Sequence, residues 1–302
     1  MRTGILLAVA AALISGISVF VNSYAVKALP DPAVFTTLKN SMAALVLFAV
    51  AVPIVGRRGR SFRLVRRDAA WLTVIAIIGG SVPFLLFFTG LSLATAPTAA
   101  FIQKTLFIWV ALLAVPFLGE RMGWLQVGAM GVLLGSQLLI APPTGVTWGV
   151  GETLIAAATL LWSVEVILAK KLLARVDPLV VGVGRLGLGL IVLFGYLALA
   201  GKLSVIGTLT TTQWSWVAVT GLLLAGYVGT WFSALKNAPA TIVTCVLVLA
   251  APITALLDAV INGRIPGPAP LGGYGLATLA AVALAVATLR ARPRSSTSIA
   301  TN

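Results

Sequence analysis

Ten apolar runs dominate this chain, near residues 4–27, 33–55, 69–93, 97–118, 123–141, 148–173, 178–200, 214–236, 239–261 and 271–289. Each is about as long as the roughly 20 residues a helix needs to cross the hydrocarbon of a bilayer. A helix satisfies every backbone N–H and C=O within its own segment, which lipid demands. Links such as "ALPDP", "TAPT", "APPTGV" and "KNAP" separate the runs, since proline ends a helix readily. The predicted fold is therefore an all-α membrane protein with ten transmembrane helices. With 60% hydrophobic and only 9% charged residues, the chain lacks the material for a charged, water-facing surface. Arg2 followed by an apolar stretch imitates an export signal. The repeat described below needs that stretch as a permanent helix.

The net charge of +14 would suggest nucleic acid on a soluble protein, but here the cations cluster between apolar runs. "GRRGRSFRLVRRD", Arg121, Lys170, Lys171, Arg175, Lys236, Arg290, Arg292 and Arg294 all fall on one side if both termini are cytoplasmic. The other side keeps only Lys27, Lys202 and Arg264. This asymmetry orients a membrane protein with its basic loops inside, against anionic headgroups. The predicted location is the inner (cytoplasmic) membrane. No partnership with nucleic acid is expected.

Histidine is absent and Cys245 is the single cysteine. This excludes Ser-His-Asp chemistry, internal disulfides and multi-Cys metal sites. Cys245 reads as a small buried hydrophobe. No catalytic residue, metal or cofactor is predicted, and the expected partners are a small-molecule metabolite and the lipid bilayer.

The halves repeat. "DPAVFTTLKN" at 31–40 matches "DPLVVGVGRL" at 177–186, so Asp31 maps onto Asp177 and Lys39 onto Arg185. Upstream, Lys27 maps onto Lys170 and Asn22 onto Glu165; downstream, Trp71 aligns with Trp216 and Ala96-Pro97 with Ala238-Pro239. Several markers in order make a repeat. It divides the chain into residues 1–141, 148–290 and a short disordered cytoplasmic tail, 291–302. Five helices per half, an odd count, make the second half enter from the opposite face. Such inverted repeats are typical of secondary transporters.

These features resemble the drug/metabolite transporter superfamily in its EamA-type branch. The residues that carry the likeness are "DPAVFTTLK", residues 90–135 with "FLGER", and "LLWSVEVILAKKLL", "DPLVVGVGR" and "ALKNAPATIV". The resemblance implies a ten-helix bundle around a cavity lined by the first four helices of each half, the fifth being peripheral. It also implies transport, usually export, of small metabolites, amino acids prominent among them. The second half departs from the pattern at "VINGRI", which lacks a counterpart of Glu120. Glu120 is thus read as a helix-end charge that pairs with Arg121 or nearby loops.

A charge inside the bilayer costs at least about 2.5 kcal/mol on insertion scales, so such residues face the bundle interior. Lys39 and Lys104 lie seven residues past Pro32 and Pro97, roughly 10 Å deep. Arg185 lies equally deep from the opposite face, which predicts one cation toward each mouth. In the hairpin of the sixth and seventh helices, Glu165 sits level with Arg185, so the two should pair; Asn22 replaces Glu165 in the first half and leaves Lys39 available to a solute. Lys104 and Asp258 are possible neighbours, and Glu165 and Asp258 are the candidates for protonation if protons drive transport.

Trp109, Trp162, Tyr227 and Trp231, together with Phe84, Phe87, Phe88 and Phe232, are candidate cavity walls for an apolar or aromatic solute. Pro83 after Gly79-Gly80 should bend the third helix and Pro252 the ninth. Gly131-x-x-x-Gly135 reads as a helix-packing face. The best-supported function is secondary transport of a small anionic or zwitterionic metabolite, binding at Lys39, Lys104, Asn22 and the aromatics. A carrier for cationic or lipophilic drugs is the alternative. A membrane enzyme, channel or scaffold lacks, respectively, a clustered set of reactive groups, a polar pore repeat or a soluble domain.

Overall fold

The computed structural model describes residues 1–59, 64–142 and 148–290. The expected tail at 291–302 lies outside them, as do four residues of the arginine-rich link. All regular structure among the described residues is helical. The first half contains α1 (Arg2–Ala28), α2 (Pro32–Arg57), α3 (Arg66–Gly80), α4 (Val82–Leu93), α5 (Ala96–Lys104), α6 (Leu106–Leu118) and α7 (Trp124–Ile140). The second contains α8 (Val150–Leu173), α9 (Pro178–Leu199), α10 (Thr211–Asn237), α11 (Ala240–Leu247), α12 (Ala250–Asn262) and α13 (Pro268–Arg290). A short 3-10 segment, Leu203–Thr208, follows α9.

Three predicted helices are interrupted, so thirteen segments form ten spans: α3 with α4, α5 with α6, and α11 with α12 make one each. Among the described residues, nine spans are long and apolar enough to cross a bilayer. The tenth, α7, has 17 residues, about 25 Å at the helical rise. The two Asp-Pro pairs start α2 and α9. Asp31 Oδ1 accepts from the N–H groups of Ala33 at 2.8 Å and Val34 at 3.1 Å, and Asp177 Oδ1 from Leu179 at 3.0 Å. Proline follows at the first helical position, where no N–H is needed. α6 and α12 both end on glycines in the left-handed region, Gly119 at φ 66° and Gly263 at φ 67°, again equivalent positions.

The packing obeys the inverted repeat. α1 lies on α10 while its counterpart α8 lies on α3 and α4; α2 lies on α10 while α9 lies on α3. The equivalent helices α2 and α9, and α7 and α13, meet each other directly, and the fourth and ninth spans meet through α6 and α11. The α2–α9 pair runs antiparallel: Leu38 clusters with Leu197, whereas Leu47 lies against Gly182. This arrangement requires opposite orientation of the halves.

The third span breaks at Ser81, whose backbone (φ −142°, ψ −70°) is not helical, and Pro83 opens α4 just beyond. Ser81 Oγ donates back to the carbonyls of Ala76 and Ile77 in the last turn of α3, both at 3.1 Å, and the Ser81 N–H also bonds Ile77. The α11–α12 interruption at Val248–Leu249 lies where Pro252 removes the N–H that would bond Val248, the carbonyl four residues back. The Gly131–Gly135 face departs from expectation. No neighbour lies within 4 Å of where either glycine would carry a Cβ. α7 instead packs through Ser136, Leu139 and Ile140 against Gly273 of α13.

Candidate functional site

The first four spans of each half enclose a cavity of about 280 Å³, to which α7 and α13 contribute no wall. That volume is near the small end of metabolite sites, about 300 Å³. Asn22, Lys39, Lys104, Trp162, Glu165, Arg185, Tyr227 and Trp231 all line it. The cations at 39 and 185 therefore share one cavity rather than serving separate mouths.

Glu165 and Arg185 form a buried, two-point pair. Arg185 Nε donates to Glu165 Oε1 at 2.6 Å and Nη2 to Oε2 at 3.3 Å. Arg185 Nη2 also donates to the Gly79 carbonyl at 2.8 Å, and Trp162 Nε1 to the same oxygen at 3.1 Å. The break in the third span exposes this carbonyl. The glycine is needed there: a Cβ on residue 79 would lie 2.2 Å from the Glu165 carboxyl carbon. Thus an ion pair from the second half is seated on the broken helix of the first.

All seven carboxylate side chains of the chain are engaged. Asp31 pairs with Lys202, Asp68 with Arg175, Glu165 with Arg185, Asp177 with Arg58, and Asp258 more loosely with Arg264. Glu152 accepts from the Gly149 N–H that precedes α8. Glu120 accepts from Ala240 N–H at 2.5 Å and Thr241 N–H at 3.1 Å, capping α11 of the other half rather than pairing with Arg121. Lys39 and Lys104 are left with no carboxylate partner among the described residues. Lys39 Nζ lies 5.1 Å from the Phe35 ring centroid, a weaker cation–π contact.

Two candidates lie elsewhere. Asp258 lies near the end of α12, beside Asn262 and Arg264, and neither lines the cavity nor pairs with Lys104. Trp109 turns outward, 39% exposed, its indole bonded to Thr105 on the preceding turn. α6 is apolar on every side, so the sequence did not mark its inner face. On the aromatic walls, Phe84 and Phe87 pack on Trp162, and Tyr227 stacks on Trp231 at 5.9 Å. Sequence reasoning missed the cavity's small polar groups, Ser15, Ser18, Gln103 and Thr244. Ser15, Ser18 and Asn22 recur at helical spacing, the signal that could have shown a polar inward stripe on α1.

Outside the membrane, burial opposes ionisation of Asp31. Lys202 and the N–H groups of Val34 and Ala33 outweigh it and hold the carboxyl below its ordinary value. The same hydrogen bond, donated by Lys202 to Asp31, raises the Lys202 ammonium above its ordinary value.

Comparison with known proteins agrees with this architecture. The family model described as the EamA-like transporter family matches residues 2–141 and again 149–286. A solved structure, described only as the crystal structure of a protein, superposes with a TM-score of 0.79. It shares 20% sequence identity over 96% of this chain and 99% of the other, a likeness of fold alone. No curated protein sequence matches. With both halves matched, and the cavity lying between them, the chain belongs to the EamA-like transporter family.

Proposed function

We propose that the protein is a secondary transporter that moves a small anionic or zwitterionic metabolite, such as an amino acid, across the cytoplasmic membrane by alternating access. The observation that carries this reading is the charge of the cavity. Glu165 is its one lining carboxylate and is neutralised by Arg185, while Lys39 and Lys104 remain without a carboxylate. Uncompensated ammonium groups in a membrane interior are costly and mark solute paths. A cationic drug would find no free acceptor of opposite charge here. Family membership supports transport rather than enzymatic chemistry. The inverted repeat supports alternation, because two like halves of opposite orientation can close two like gates in turn. If protons drive the cycle, Glu165 is the lining carboxylate through which coupling would run.

The orientation we assign has both termini in the cytoplasm, with the Arg57–Arg67 link beside them. Export is the direction the family resemblance favours. Comparing metabolites released by cells with and without the protein, followed by flux into proteoliposomes, tests the reading. Absence of solute movement under any gradient would sink it. Reporter fusions that place the Arg57–Arg67 link outside would overturn the orientation.

A further inference from the structure

The second half shows what the first half lacks. Glu165 and Arg185 meet in a two-point pair. Their counterparts, Asn22 and Lys39, line the same cavity but make no such pair. Asn22 Nδ2 donates to Ser18 Oγ at 3.2 Å, while its Oδ1 is buried without a hydrogen-bond partner. Lys39 has the Phe35 ring and no carboxylate. A buried, unpartnered carbonyl oxygen is expensive, by about 1–3 kcal/mol for a neutral group, and needs an explanation. The first half thus keeps the cation and a hydrogen-bond acceptor, and lacks only the carboxylate.

We infer that the solute supplies it. Its carboxylate takes, against Lys39, the place that the Glu165 carboxylate holds against Arg185. An N–H or O–H near that carboxylate donates to Asn22 Oδ1. The ligand class is a carboxylic acid that carries a hydrogen-bond donor within a bond or two of the carboxyl, with an apolar remainder against Trp162 and Tyr227. This inference rests on the transporter reading and deepens it. A glutamate at position 22 would neutralise Lys39 from within and fill the site.

The test uses the purified full-length chain and two matched sets of probes. One is phenylalanine, phenyllactate, 3-phenylpropionate and phenethylamine; the other is leucine and its hydroxy-acid, donor-free acid and decarboxylated analogues. Thermal stabilisation in detergent and counterflow in proteoliposomes are read for each. Wild type should favour the amino and hydroxy acid of at least one set over both other analogues by about tenfold, the discrimination of one good hydrogen bond or charge contact. Asn22→Glu should abolish that response while its melting temperature stays level or rises. Asn22→Ala should erase the preference for the donor while retaining the preference for the carboxylate, which keeps the test open if Asn22→Glu misfolds. Equal response to the donor-free acid or the amine, or an Asn22→Glu variant that behaves as wild type, would overturn the subsite while leaving transport intact. A wild type that responds to none of the eight probes also overturns it, and the transporter reading then rests on the metabolite comparison alone.

Discussion

Asp31 and Asp177 occupy equivalent places at opposite ends of the bundle, and each is held by the other half. Asp31 caps α2 and pairs with Lys202, just past α9, at 2.7 Å. Asp177 caps α9 and pairs with Arg58, just past α2, at 3.1 Å. α2 and α9 are therefore tied at both ends at once. In the alternating cycle proposed above, a gate opens at one end while the other is shut, so helices joined at both ends suit a fixed axis about which other spans move. On this reading, Asp31→Ala and Asp177→Ala lower the melting temperature through loss of a cap, about 1 kcal/mol each. The solute affinity should stay unchanged. A shift of KM larger than the shift of Tm would argue that these pairs belong to a gate instead.

The Asp31–Lys202 pair gives a pH dependence with a definite sign. The lowered Asp31 carboxyl contributes stability that is present above its unfolded value and lost as pH falls through its folded value. The raised Lys202 ammonium contributes the same interaction below its unfolded value, lost as pH rises through its folded value. Wild type should thus exceed Lys202→Met in stability across the neutral range, by no more than about 1 kcal/mol for so accessible a pair. The gap should close in acid below the ordinary carboxylate range and in base above that of lysine. A gap unchanged at pH 3 would refute it.

The Glu165–Arg185 pair should behave as one unit. Removing either partner leaves a buried charge uncompensated, a loss of about 3–5 kcal/mol. Glu165→Gln and Arg185→Gln are each expected to lower expression and thermal stability sharply, and the double variant less than their sum. A double-mutant cycle on Tm in detergent measures this. Additive losses would mean that the pair is not coupled.

Much of this arrangement was visible in the residues, for definite reasons. Spans follow from hydropathy, since lipid requires long apolar helices. Glu165 and Arg185 read as level because a short hairpin fixes the register of its two helices. Contacts between distant segments were not visible. Glu120 meets α11 about 120 positions later, and nothing local to "FLGER" points there. Trp109 sits on a helix apolar all round, where periodicity marks no inner face. Asp258 lies on the helix expected, but its rotation and depth take it to Asn262 and Arg264. The shared cavity of Lys39 and Arg185 depends on how the halves interlock, which depth counted along each helix does not contain.

Gly79 offers a packing test of the contact between the halves. A methyl group there would overlap Glu165, and core overpacking costs about 1–3 kcal/mol. Gly79→Ala should lose stability comparable to that range and share its loss with Glu165→Ala, which removes the obstacle. The combined variant should be more stable than the sum of the two predicts. Strict additivity of the melting shifts would show that the glycine is tolerant and the seat of the ion pair is loose.

Glu120 marks a difference between the two ends of the cavity. At the end that carries the N-terminus, the α10–α11 turn is pinned twice. Glu120 caps α11, and Lys170 Nζ donates to the carbonyls of Leu235 and Ala238. At the opposite end the equivalent α4–α5 turn shows neither device among the described residues and has instead the local cap of Thr95, whose Oγ1 accepts from Thr98 N–H at 3.4 Å: Arg264 follows Gly263 where Glu120 follows Gly119, and Lys27, the counterpart of Lys170, is exposed. A cation cannot cap a helix N-terminus, whose dipole favours anions. In the alternating cycle proposed above, this difference favours closure at the N-terminal end. Cys245, the single cysteine, is fully buried on α11 just beyond this cap and reports on it. Glu120→Ala should raise the labelling rate of Cys245 by a membrane-permeant maleimide about tenfold, as expected if loss of the capping bonds removes 1–2 kcal/mol from local closure. Glu152→Ala, which removes a capping carboxylate from the start of α8 at the other end, should leave that rate unchanged. Equal labelling of wild type and Glu120→Ala would show that the turn is held by packing alone and that the bias lies elsewhere.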